Sequence, residues 1–277
     1  MVETNRQHFS RRIREISISM VHRAKSSHIA GALSMADILT VLYGPNGRLN
    51  VRANDPHWAN RDRFILSKGH SCCGLYAALR LGGFISEEDI ENFTKDGARL
   101  MAHASSAVPG IELSTGSLGH GLPVGCGLAI GARRLGQSWR TIVLLSDGEL
   151  DEGSNWEAFL FAAHHKLNNL WAIIDFNKIQ SLGHIKDVLG LEPLAEKFRA
   201  FNWNVIQVPG HDLDALHEVL NLNNPAPDGK PTVVIADTIK GKGVDFMEDK
   251  LLWHYRPPSD EQFTSAMNKL AQYYGEG

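Results

Sequence analysis

Cysteine is scarce in this sequence: Cys72, Cys73 and Cys126 are the only three in 277 residues. An odd count with two adjacent members makes a poor disulfide framework, and the spacing excludes a CxxC zinc ribbon. A reducing cytoplasm is the expected compartment. Long apolar runs are missing too. No window offers the roughly 18 consecutive apolar residues that a membrane span needs. Near the N-terminus, Glu3, Arg6, Arg11, Arg12 and Arg14 interrupt any signal-peptide core. Nor is there an excess of positive charge. The formal net charge is -3 and no segment is strongly basic, which argues against nucleic acid as a partner.

Apolar material is ample, at 43% of residues, so a sizeable core can form. Short β-rich runs alternate with helical stretches. That is the pattern of an α/β protein whose parallel sheet is flanked by helices on both faces. Strands are expected over 64–66, 141–145, 170–175, 204–208 and 232–236. The run at 141–145 is apolar throughout, as a strand buried on both faces should be. Helices are expected over 6–22, 212–221 and 259–274. Others should begin at Ser34, with Asp37 closing a capping box, at Pro123, and at Ser154, with Glu157 closing a second box. Glycines crowd 110–131 (Gly110, Gly116, Gly119, Gly121, Gly125, Gly127, Gly131), so this backbone can approach a ligand or a helix closely. Pro225, Pro227 and Gly229 read as a local turn. With no repeat and no linker, residues 1–277 read as one domain.

Asp147 and Asn177 each follow an expected strand, 30 positions apart. A strand–helix–strand unit has about that length. In an open α/β sheet, ligands bind beyond the carboxyl ends of the strands. If the two strands are neighbours, a carboxylate and an amide oxygen meet there, a donor set suited to Mg2+ or Ca2+. Taken singly, an Asp-Gly or an Asn after a strand is an ordinary turn.

The stretch from Ser146 through Asn177-Lys178-Ile179 resembles the thiamine diphosphate motif, GDG followed by a long spacer and N. Glu152-Gly153 and Glu157 narrow the resemblance to transketolases. It implies the thiamine-diphosphate-binding fold, with the cofactor's metal (Mg2+, with Ca2+ or Mn2+ as alternatives) held by Asp147, Asn177 and the carbonyl of Ile179. Ser146 replaces the motif's first glycine, a change in turn geometry. The resemblance also assigns cofactor contacts to Gly148 and Glu149. The segment 112–121 is similar to the family's T-G-x-L-G-x-G loop, which implies cofactor contacts at Gly116, Ser117 and Leu118. His120 stands where Gln is common.

Thirteen histidines are many for this length. His8, His22, His57, His184, His211 and His217 read as ordinary surface or core residues. His164 and His165 follow helix packing. Four others match transketolase contexts: His28 in KSSHIAG, His70 in SKGHS, His103 before the glycine-rich stretch, and His254 after Lys240-Gly241-Lys242-Gly243. The resemblance makes these the catalytic set, binding sugar hydroxyls and moving protons, with His70 and His254 also touching the cofactor. Histidine can act as acid and base near neutral pH.

The resemblance runs from about residue 8 to the end and matches only the diphosphate-binding part of a full transketolase. It implies a separate subunit with the pyrimidine-binding and C-terminal domains, two copies of each chain forming a heterotetramer. Glu152 and Glu157 would face that partner or another subunit, Glu157 having the capping box as a competing role. The expected activity is transfer of a two-carbon ketol unit between sugar phosphates. A specialised split enzyme for an unusual sugar, a deoxyxylulose-phosphate synthase-like enzyme and a non-catalytic regulatory subunit stay open. The four histidines argue against an oxo-acid dehydrogenase.

Overall fold

Runs of apolar β-branched residues build the centre of the molecule. The computed structural model describes residues 2–222 and 227–274. Five strands, β1 (Arg63–Leu66), β2 (Thr141–Ser146), β3 (Leu170–Phe176), β4 (Asn204–Pro209) and β5 (Thr232–Asp237), form one sheet in the order β1-β2-β3-β5-β4. Every pairing is parallel, so all five carboxyl ends lie along one edge. β2 and β3 are buried along their whole length. Period-2 alternation then divides their side chains between two cores. Ile142, Leu144 and Ile173 enter one core, and Val143, Leu145 and Ile174 the other.

The first core is covered by α1 (Val2–Ala24), α2 (Ile29–Ser34), α3 (Ala36–Tyr43), α4 (Cys72–Leu81), α5 (Glu87–Glu91) and, later in the chain, α10 (Leu213–Val219) and α11 (Asp260–Tyr274). The second is covered by α6 (Gly121–Arg134), α7 (Gly153–His164), α8 (Ile185–Val188) and α9 (Leu194–Ala200). Helices on both faces agree with the expected fold class. α1 is locked to α3 by a buried ion pair, Arg14 to Asp37 at 2.7 Å.

Expected and observed elements differ mainly at their ends. The helix expected over 6–22 is longer, and the one expected from Ser34 is split. Ser34 ends α2, and its hydroxyl donates to Gly31 O and to Asp175 rather than capping α3, whose N-cap is Met35. Ser154 does not cap α7 either. Its hydroxyl donates to Gly119 O at 2.7 Å, and the N-cap position falls to Glu152. Both serines make a tertiary hydrogen bond in place of the local one. A true capping box sits elsewhere, between Ser86 and Asp89 at the start of α5. Pro227 and Gly229 lie in a short turn with Asp228 in the left-handed region (φ 63°), and Pro225 lies outside the described residues.

Candidate functional site

β2 and β3 are direct neighbours, with Ser146 opposite Asp175. The residues that follow them therefore share one crevice. Asp147 sits there, buried, and accepts hydrogen bonds from Gly148 N–H at 2.7 Å and from Lys178 N–H. The carboxylate thus grips the peptide that follows Asn177. Behind it, Asp175 receives Lys68 Nζ at 2.5 Å and the hydroxyls of Ser34 and Thr238. Its Oδ2 also accepts from Asn177 Nδ2 at 3.3 Å. This last bond fixes which way the Asn177 amide faces, leaving its oxygen for the Ile179 N–H or a ligand.

These groups open into a cavity of about 230 Å3. Ten of the candidates expected from sequence line it: His28, His70, His103, His254, Gly116, Leu118, Asp147, Gly148, Asn177 and Ile179. Two lie outside it. Ser117 is exposed on the loop between Gly116 and Leu118. Glu149 is fully buried, and its carboxylate is turned away toward Ser67 and Gly119. His120 is also exposed and caps nothing with its side chain.

The four histidines come from four separate segments. His28 holds a left-handed backbone (φ 69°) just before α2, and its N–H donates to His254 O at 3.0 Å. His103 is placed by Tyr76, whose hydroxyl donates to His103 O at 2.8 Å. The ring of His28 lies 5.1 Å from His70, 6.1 Å from His103 and 5.0 Å from His254, centre to centre. Burial, aided by His103 and Lys240, pushes His28 down to about 4. Burial and then Lys240 push His254 down to about 3. Burial, followed by Lys68, holds His70 well below the usual histidine range. These three rings are therefore neutral near pH 7, each able to donate at one nitrogen and accept at the other.

Three residues in or beside the site were not singled out from sequence. Lys240 donates to Ile179 O at 2.7 Å and to His254 Nδ1 at 3.1 Å, and burial lowers it to about 8. Lys68 also lines the cavity and donates to Gly31 O at 3.1 Å. Their signals were present, in the SKGHS and Lys240-Gly241-Lys242-Gly243 segments themselves. His211 is the third. Its Nδ1 faces Asp37 at 2.7 Å and its Nε2 accepts from Ile239 N–H at 2.8 Å. It thus anchors the segment that carries Lys240, as a satisfied, half-buried histidine that does not itself line the cavity.

The donors suit a hard cation. Burial, and after it the nearby Asp175, raises Asp147 to about 6, so a divalent ion beside it would favour the ionised form. Among the described residues, no group of three or more His, Cys, Asp and Glu could hold a metal. The companions of Asp147 are of another kind, an amide and a peptide carbonyl. Such oxygens, with phosphate and water completing the shell, are what Mg2+ takes. Room for a ligand comes from glycine: a Cβ on Gly116 would stand 2.8 Å from His103 Cδ2 in the cavity wall.

Residues 5–272 match the family described as transketolase, thiamine diphosphate binding domain. An apulose-4-phosphate transketolase subunit from Phocaeicola vulgatus is 38% identical, covering 95% of this chain and 92% of its own length. The 6-deoxy-6-sulfo-D-fructose transketolase subunit SqwG of a Clostridium species is 35% identical, covering 95% of each. Among solved structures, transketolase from Campylobacter jejuni superposes with a TM-score of 0.91 at 30% identity, over 98% of this chain. This chain spans 43% of that enzyme. A match this long, at these identities and on this fold, shows that the chain belongs to the transketolase family, in its thiamine diphosphate binding domain.

Proposed function

We propose that the chain is the diphosphate-binding subunit of a split transketolase. With a separate subunit that carries the pyrimidine-binding and C-terminal domains, it transfers a two-carbon ketol unit from a ketose phosphate to an aldose phosphate. The carrying observation is one cavity that joins Asp147, Asn177 and Ile179 to the four histidines. That the two relatives of nearly equal length are named as transketolase subunits supports the partner.

Asp147, the Asn177 amide and the Ile179 carbonyl would hold the metal, read as Mg2+. When bound, thiamine diphosphate supplies a nucleophilic carbon that carries the two-carbon unit. The chain's own residues bind and move protons. Neutral His28 offers a ring nitrogen to sugar hydroxyls, and His254, whose Nδ1 lone pair is taken by Lys240, offers its Nε2–H. His70 and His103 line the same cavity beside them, placed to exchange a proton with a bound sugar hydroxyl. Positioned acid–base groups of this sort contribute typically about 10²–10⁴-fold in rate. The assembly is read as two copies of each subunit. The three cysteines are free and buried, which agrees with a cytoplasmic setting. No helix among the described residues is long and apolar enough to cross a membrane.

A second reading concerns the sugar. The names of the relatives, apulose 4-phosphate and 6-deoxy-6-sulfo-D-fructose, favour a branched or sulfonated substrate over the common pentose phosphates. The test is a ketol-transfer assay with thiamine diphosphate and Mg2+, run with the chain alone and with its candidate partner. Xylulose 5-phosphate and ribose 5-phosphate form the first substrate pair, branched and sulfonated ketoses the second. Activity only in the mixture is expected. A mixture that binds no thiamine diphosphate overturns the proposal.

A further inference from the structure

Glu149 is a fully buried carboxylate that stands beside the cavity without lining it. The chain leaves β2 at Ser146, exposes Asp147 and Gly148 to the cavity, and then turns inward in a short 3-10 turn. That turn carries the Glu149 side chain under the opposite wall. There Oε1 accepts the Ser67 hydroxyl at 2.5 Å and Gly119 N–H at 3.0 Å, while Oε2 takes Ser146 N–H at 3.4 Å. The Ser67 oxygen in turn accepts Gly121 N–H at 3.2 Å. Gly119 and Gly121 stand at the entry to α6, where peptide N–H groups have no partner within the helix. Their donors are satisfied by Glu149 and by the serine it holds.

Two walls of one cavity are joined by this arrangement. One is the Asp147–Gly148 turn. The other is the glycine loop, whose Gly116 and Leu118 also line the cavity. We propose that Glu149 is a positioning residue that ties the metal turn to the glycine loop, so that both sides of the coenzyme cavity are held at one spacing. The inference rests on the reading of the cavity as a thiamine diphosphate site, but the tie itself can be tested without coenzyme.

The experiment compares wild type, Glu149→Ala and Glu149→Gln in complex with the partner subunit, by hydrogen exchange and by coenzyme titration. Gln keeps an oxygen for Ser67 and Gly119 and loses only the longest contact. In Glu149→Ala, amides of 116–121 should exchange faster, while those of β2 and β3 stay slow. The coenzyme dissociation constant should rise on the order of 10-fold, the worth of one hydrogen bond to a charged group, with kcat at saturating coenzyme little changed. Glu149→Gln should restore both readouts. Should Glu149→Ala not fold, Ser67→Ala, which removes only a hydroxyl, should give the same local loosening. Unchanged exchange at 116–121 in a folded variant overturns the tie. So does a Gln variant as loose as the Ala variant. Faster exchange in a complex whose wild type binds no thiamine diphosphate would uphold the tie and remove the coenzyme reading.

Discussion

Lys240 Nζ stands 3.1 Å from Nδ1 of His254. An ammonium has donors and no acceptor, so this ring nitrogen must carry a lone pair. The neutral ring then holds its proton on Nε2. We predict that 15N shifts of the His254 ring report the Nε2–H tautomer at pH 7 and no protonation down to pH 5. A ring that titrates near 6.5, or carries its proton on Nδ1, would contradict the Lys240 contact.

The same depressed rings give a stability prediction. His28 and His254 are lowered to about 4 and about 3 in the folded chain, against 6.5 for an unperturbed histidine. Between these values the unfolded chain binds more protons, so stability is full above about 6.5 and falls as pH drops toward 4. Other groups titrate there as well, so the readout is a difference. Tm should fall less steeply from pH 6.5 to 4 in His254→Gln than in wild type. Parallel curves would show that His254 is not buried neutral.

Lys68 and Asp175 form an ion pair with side chains 1% and 0% exposed. Removing one member of a buried pair costs about 3–5 kcal/mol, because the other charge stays buried alone. Lys68→Met should therefore lower stability by about 3 kcal/mol, the hydroxyls of Ser34 and Thr238 still serving Asp175. Adding Asp175→Asn should recover part of the loss. Denaturant unfolding of both variants checks this. A double variant less stable than Lys68→Met alone would contradict the cost of leaving Asp175 buried without its cation.

The parts of this structure that were legible in the sequence are those with local causes. β2 and β3 are buried on both faces, so their residues are apolar without alternation, and the strands could be placed within a residue or two. Once they were neighbours, Asp147 and Asn177 had to meet. The capping boxes failed for a physical reason. Ser34 and Ser154 are turned into tertiary contacts instead, donating to Asp175 and to Gly119 O, which lie 141 and 35 positions away. The direction of the Glu149 side chain was hidden for the same reason: its neighbours in sequence are in the cavity, but its carboxylate is held by residues 30 and 82 positions distant. His211 is an ordinary histidine in its own sequence neighbourhood, and its anchoring contact depends on Asp37, 174 positions earlier. Side chains whose roles rest on such pairings carry no signal in local periodicity.

Asp147 bears on the metal directly. Its neutral isostere Asn keeps the size of the side chain and removes the charge. Ligand binding raises stability as RT ln(1 + [L]/Kd), about 2.7 kcal/mol at 100 times Kd. With the partner present, wild type should therefore gain several degrees in Tm on adding thiamine diphosphate with Mg2+. Asp147→Asn should gain none. Without ligand the variant is relieved of a buried charge but can accept only one of the two backbone N–H groups that Asp147 holds, so the readout is the ligand-induced rise in each protein from its own baseline. A full ligand-induced rise in the variant would remove Asp147 from the metal site.

Two glycines in and near α6 should respond in opposite directions. Gly119 has φ +83°, and a Cβ there would stand 2.5 Å from Ser154 Oγ and 2.7 Å from Glu152 Cβ. Alanine in the left-handed region costs about 1–2 kcal/mol before any clash is counted. The clash pushes the peptide away from Glu149 and Ser154, the two groups that hold it. Gly119→Ala should thus lower both Tm and coenzyme affinity. Gly127 lies inside α6, exposed, and a Cβ added there would meet nothing within 4 Å. There alanine removes backbone entropy from the unfolded chain and should stabilise by up to about 1 kcal/mol. Thermal unfolding of the two variants decides between a loop held by contacts and a merely flexible one. Equal, small effects at both positions would mean that the Gly119 turn is not under the constraint its geometry implies.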